Sequence, residues 1–209
     1  KAGYMETSQA LDMIAAQEND KDFDCNVWSV VISNLNSLNH ILEGDEGGKE
    51  KLASFALKIL HPVFEKLGWE KLPNEKHTDI LLRSMVLGSL GNFGDTDIIA
   101  EALKKFCAIS SSGIDIDPDL KTAIYSLAAK YGGQSNFDRL LALYDATNDA
   151  REKERIQAAI GGFKTAPMIK KVIEFSTSEK VRKQDWFRIM VTLGYNPKAR
   201  LIAWNFLKE

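Results

Sequence analysis

Hydrophobic residues along this chain return every three or four positions, and most such runs are followed by a glycine, an asparagine or a proline. Val27, Trp28, Val31, Ile32, Leu35, Leu38 and Leu42 share one face of a segment, and Leu52, Phe55, Ala56, Ile59, Leu60, Val63 and Leu67 share a face of the next. That spacing predicts helices, because side chains three and four apart lie above one another on the helix surface. A first amphipathic segment covers Thr7–Glu18, and the loop Gly44–Gly48 divides the second helix from a long third one, Lys51–Glu70. Inside this third helix sits Pro62, whose ring removes a hydrogen bond and crowds the Lys58 carbonyl at a cost of about 3 kcal/mol. Packing must offset it. Gly68 is placed to supply a left-handed cap, and Trp69 to fold back as an apolar anchor.

The pattern continues without a convincing strand. A fourth helix is expected over Thr78–Leu90, ending in Gly91-Asn92-Phe93-Gly94, and Asp95 can cap a fifth that carries Ile98, Ile99, Ala102, Leu103 and Phe106. Asp117-Pro118-Asp119 reads as a helix start with Asp117 as N-cap, and Gly132-Gly133 as the stop. Further helices are expected near Asn136–Thr147, Ala150–Ile160, Ala166–Phe175 and Lys183–Leu193, with Asn196-Pro197 opening the last, which carries Leu201, Trp204 and Leu207. About eleven short helices with tight turns, nearly all keeping a polar face, predict an all-α solenoid rather than a compact bundle. No strict period emerges, so the units read as degenerate HEAT/armadillo-like pairs. The chain is expected to be one helical domain, 1–209, cut at both ends, since it opens on Lys1 and its last helix has no cap or stop.

Composition narrows the class. With 44% hydrophobic residues the chain can bury a substantial core, and its net charge of −2 gives no overall field toward nucleic acid or anionic lipid. No apolar run approaches the roughly 20 residues of a membrane span. Cys25 and Cys107 read as two buried free thiols without a CxxC, and with no signal segment they lean to a cytoplasmic setting.

Catalytic and metal chemistry is hard to assemble from these residues. His40, His61 and His77 do not form the HExxH pair that converges on zinc, and His61 with Glu65 reads as a surface pair. Asp115, Asp117 and Asp119 imitate a calcium loop, but Leu120 and Ser126 stand where its glycine and glutamate belong. Gly88, Gly91 and Gly94 read as a helix end rather than a phosphate cradle, and Ser111-Ser112-Gly113 as a loop. No catalytic, cofactor or metal residue is expected in the chain. One basic concentration remains: Lys170, Lys171, Lys180, Arg182, Lys183 and Arg188 could face a peptide or an acidic partner, although interleaved Glu174, Glu179 and Asp185 favour a solvated face. Trp28, Trp69, Trp186 and Trp204 occupy stripe positions, where core packing is expected.

Several blocks, taken in order, carry a resemblance. They are Leu57–Glu70 with its Leu-Gly-Trp-Glu ending, His77–Leu90 with Leu81-Leu82-Arg83, and Pro118–Tyr144 with Ala-Ile-Tyr followed by Phe137 through Tyr144. Glu152-Lys153 with Arg155, then Val181-Arg182-Lys183-Gln184-Asp185, and Asn196-Pro197 leading to Ala203-Trp204-Asn205-Phe206-Leu207 complete the set. The chain resembles, over nearly all its length, the C-terminal helical domain of the gluzincin zinc aminopeptidases of the aminopeptidase N and puromycin-sensitive type. The resemblance implies that zinc sits in an upstream catalytic domain of the same polypeptide, and that this chain is a lid that encloses a peptide chamber and gates access. Relatives that trim antigenic peptides grip the substrate C-terminus with basic residues of this domain. One such position falls at Gly162, so that site does not transfer. The alternative reading is a free-standing HEAT-like module that binds protein or peptide; neither reading involves nucleic acid or membrane.

Overall fold

The computed structural model describes residues 7–16, 24–109 and 116–208. Among them the chain forms eleven α-helices and no strand: α1 Thr7–Ala16, α2 Cys25–Ile41, α3 Glu46–Leu67, α4 His77–Asn92, α5 Thr96–Ala108, α6 Lys121–Tyr131, α7 Gln134–Ala146, α8 Ala150–Ile160, α9 Ala166–Ser176, α10 Trp186–Tyr195 and α11 Arg200–Lys208. Glu18, the Ser111-Ser112-Gly113 loop and Asp115 lie outside the described residues. No described helix is long and apolar enough to cross a membrane. The helices gather into two compact units, Lys1–Asp95 and Thr96–Glu209.

In the first unit α2, α3 and α4 pack on one another. Asp24 opens α2 by accepting from the amides of Asn26 and Val27 at 2.7 and 3.3 Å, and Trp28, Val31, Ile32 and Leu35 are buried as the stripe requires. Val27, expected on that stripe, is exposed instead, because it lies at the margin of the buried arc. α3 begins five residues earlier than the sequence suggests. Asp45 accepts from the Gly48 amide at 2.9 Å, which draws Gly47 and Gly48 into the first helical turn. A Cβ at Gly48 would stand 2.4 Å from Asp45 Oδ2, so the glycine there is what admits the cap.

The helix passes through Pro62 without ending. Leu52, Ile59, Leu60, Val63 and Leu67 are all buried along it. At about 1.5–3 kcal/mol for each large aliphatic side chain, any two or three of them outweigh the proline. Gly68 then turns the chain at φ +59°, and Trp69 folds back edge-on to Phe64 with ring centroids 6.5 Å apart. α4 closes in a six-residue Schellman turn: the Asp95 amide donates to the Leu90 carbonyl at 3.0 Å, with Gly94 at φ +94°.

The second unit shows the neighbour rule of a helical solenoid. Each of α5 to α7 packs on its successor, α6 on α8, α8 on α10, and α9, α10 and α11 on one another. α6, α8 and α10 thus follow one another in one layer, with α9 and α11 in the other, which is the all-α stack of helix pairs expected from the sequence. The start at Asp117 needs correction. Asp117 Oδ1 accepts from the Asp119 amide at 3.0 Å and its carbonyl from the Leu120 amide, so a single turn precedes α6, which begins at Lys121. The final stripe also differs. Leu201, Trp204 and Leu207 are exposed, and the buried contacts come from Ala199 and Ala203.

Candidate functional site

The blocks that carry the family resemblance turn out to be polar clamps between helices. In the first unit Arg83, on α4, is 2% exposed. Its Nε donates to the carbonyls of Leu67 and Gly68 at 3.1 and 3.2 Å, and its Nη2 to Leu67 at 3.0 Å and to the Glu75 carboxylate. The last carbonyls of a helix have no partner within it, so Arg83 caps α3 from a neighbouring helix. The Leu-Gly-Trp-Glu and Leu-Leu-Arg blocks are therefore one structural device.

The second unit holds two more. Glu152, 6% exposed at the start of α8, accepts from Tyr125 at 2.6 Å, Lys121 at 2.9 Å and Arg155 at 3.0 Å. Burial pushes its carboxyl up, but those three donors outweigh burial and hold it below the ordinary carboxylate range. Burial, and then the bond to Glu152, push the Tyr125 hydroxyl well up, so it stays a donor. Asn196, after α10, donates to the carbonyls of Gly161 and Phe163 at 2.8 and 2.7 Å and accepts from the Lys198 amide at 3.1 Å. One side chain thereby closes α8 and opens the lead into α11. Gly161 is needed at this junction, since a Cβ there would stand 2.1 Å from Thr192 Oγ1.

The six basic residues singled out from the sequence are spread over α9, the α9–α10 connection and α10, and the structure gives them separate partners. Lys180 pairs with Asp145 at 2.6 Å, Arg182 with Asp185 at 2.6 Å and Arg188 with Glu154 at 3.4 Å, while Lys171 donates to Gln134. Lys170 and Lys183 are exposed. Three charges are thus partly cancelled; the exposed pairs of Lys180 and Arg188 are worth about 0–1 kcal/mol each, while Arg182 meets a buried Asp185. His61 also departs from expectation. Its Nε2 stands 2.7 Å from Asp95 Oδ2 rather than facing Glu65. Among the described residues no three His, Cys, Asp or Glu side chains come together as metal ligands. The tryptophans divide: Trp28 is buried, Trp69 and Trp186 half-buried, and Trp204 exposed.

Sequence reasoning passed over a second basic group, Lys130, Lys164 and Lys198, because those residues are far apart in the chain. Their signal was present all the same: they recur at equal intervals of 34 residues.

The stacked helix pairs of the second unit define an all-α, HEAT-like solenoid arrangement. The model of the ERAP1-like C-terminal domain matches residues 1–209, and the chain belongs to that family. Aminopeptidase M1-A of Oryza sativa subsp. japonica is 26% identical over 213 residues, covering 100% of this chain and 24% of its own length. Aminopeptidase M1 of Arabidopsis thaliana is 26% identical over 209 residues, covering 95% of this chain and 23% of its own length. Glutamyl aminopeptidase of Bos taurus is 22% identical over 210 residues, covering 100% and 22%. The chain spans about a quarter of the length of the curated relatives it matches.

Proposed function

We propose that this chain is the non-catalytic C-terminal domain of a zinc aminopeptidase, which caps the catalytic domain of the same polypeptide, encloses the substrate chamber and gates peptide access during N-terminal residue removal. The observation that carries this reading is the family match over the whole chain at about a quarter of the relatives' length. Zinc, in this reading, belongs to the catalytic domain upstream, because residues 1–209 contain no HExxH. Of the six basic residues, Lys170 and Lys183 are the ones left to meet a peptide or the catalytic domain, since the other four are engaged on this surface. A cytoplasmic setting for the parent belongs to the same reading and rests on Cys25 and Cys107 being free thiols, Cys25 half-buried and Cys107 exposed rather than both buried.

The test uses the purified chain and aminoacyl-coumarin reporters. No hydrolysis and no stoichiometric zinc are expected. Turnover that persists through repurification and is abolished by a zinc chelator would overturn the reading. In the parent polypeptide, removing this segment is expected to abolish dependence of rate on peptide length while dipeptide-like reporters are still cleaved.

A further inference from the structure

The turns that follow α6, α8 and α10 play no part in the function proposed above, yet the structure stitches them together. Gly162 lies against the end of α6, where a built Cβ would be 3.6 Å from Ala129 Cβ and 3.7 Å from the Lys130 amide. Asn196 ties the turn after α10 to the turn after α8 through the Gly161 and Phe163 carbonyls. One lysine stands at or just before each turn, Lys130 in the last helical turn of α6 and Lys164 and Lys198 in the connections. Lys164 Nζ lies 4.5 Å over the Tyr131 ring and Lys130 Nζ 5.4 Å over the same ring, while Lys198 follows Asn196 directly after Pro197.

Each of the three lysines lies in a stretch of sequence without acidic residues. No Asp or Glu occurs between Asp119 and Asp138, between Glu154 and Glu174, or between Asp185 and Glu209. Residues 155–209 hold 11 Lys and Arg against 4 Asp and Glu, a net +7 in a chain whose total is −2. Among the described residues neither Lys164 nor Lys198 forms an ion pair. Burial, and then the charge of Lys198, hold the Lys164 ammonium below the usual lysine range.

We propose that this edge binds an acidic polypeptide segment in an extended conformation, with successive carboxylates meeting Lys130, Lys164 and Lys198. The spacing suits that ligand. Packed helices lie about 8–10 Å apart, and three residues of a polyproline II segment advance about 9 Å and return to the same face. A carboxylate at every third residue therefore repeats at the spacing of the packed helices that carry the lysines. Phosphate is the poorer fit, because forked recognition of a phosphate favours arginine and all three cations here are lysines. Lysines also act as hydrated point charges, suited to several dispersed carboxylates rather than one forked anion. The inference is independent of the gating role, since its readout is binding by this chain alone.

Fluorescence anisotropy with fluorescein-labelled (Glu-Pro-Pro)4 at low salt tests it, with (Gln-Pro-Pro)4 and a twelve-residue oligothymidylate as further probes. The chain is expected to bind the glutamate peptide, and Lys164→Glu/Lys198→Glu to weaken it at least about tenfold, or 1.4 kcal/mol. Lys51→Glu/Lys71→Glu, at two exposed lysines of the first unit, changes net charge equally and is expected to weaken it less than about twofold. Lys164→Gln/Lys198→Gln, milder toward folding, should weaken binding in the same sense, with circular dichroism unchanged. Absence of binding, equal loss in the control pair, or tighter binding of the oligonucleotide would each overturn the proposal.

Discussion

Arg83 shows how much one side chain carries in this molecule. Replacing it by Met leaves the Leu67 and Gly68 carbonyls and the Glu75 carboxylate without their buried donor. Breaking a buried pair in this way costs about 3–5 kcal/mol, and urea titration of Arg83→Met is expected to show a loss of that size. Glu152 sets a different dependence. Its folded-state carboxyl titrates below its unfolded value, so its contribution is present above the unfolded pKa and is lost as pH falls through the folded one. Glu152→Gln is therefore expected to lower the melting temperature at neutral pH and to flatten its decline on the acid side, as followed by circular dichroism. The sequence displayed both residues inside recognisable blocks. What it could not display was the partner, because Arg83 reaches back 16 positions to Leu67 and Tyr125 forward 27 to Glu152.

At the scale of elements, the helices were legible because their stripes are long and regular, and the disagreements have local causes. Gly47-Gly48 read as loop because glycine disfavours helix by about 1 kcal/mol, and the Asp45 cap reversed that preference. Leu201, Trp204 and Leu207 read as core because a stripe reports an apolar face but not whether this chain covers it. The glycines separate into two mechanisms that mutation can distinguish. Gly161 has an ordinary helical φ of −64°, so Gly161→Ala suffers only from overlap with Thr192, about 1–3 kcal/mol. Thr192→Ala should relieve part of it, since Thr192 Cβ remains 2.6 Å from the added methyl. Gly94 has open space but φ +94°, and Gly94→Ala should cost about 1–2 kcal/mol that no neighbouring substitution recovers. Thermal melts of Gly161→Ala, Thr192→Ala, the double variant Gly161→Ala/Thr192→Ala and Gly94→Ala check both statements.

Across the whole molecule, charge is the property that composition concealed. A total of −2 gave no field toward nucleic acid or anionic lipid, yet the last 55 residues are net +7 and the rest net −9. The candidate basic cluster was legible as a run in sequence, whereas Lys130, Lys164 and Lys198 belong together only because one helix pair separates each from the next. The second unit, Thr96–Glu209, has its own layered core around Phe106, Tyr125, Ile156, Ile169 and Ile189. A fragment of residues 96–209 is accordingly expected to stay helical and to melt cooperatively by circular dichroism. A non-cooperative melt would show that its core does not suffice.

The first turn of α3 has a dynamic consequence. Two glycines held in helical form by the single side-chain cap of Asp45 make a turn that opens far more often than the buried segment beyond Leu52, so hydrogen exchange should run fast at Gly48 and Lys49 and slow abruptly within the next turn. In Asp45→Ala the fast zone should extend to Lys51, making the helix in solution begin where its hydrophobic stripe begins.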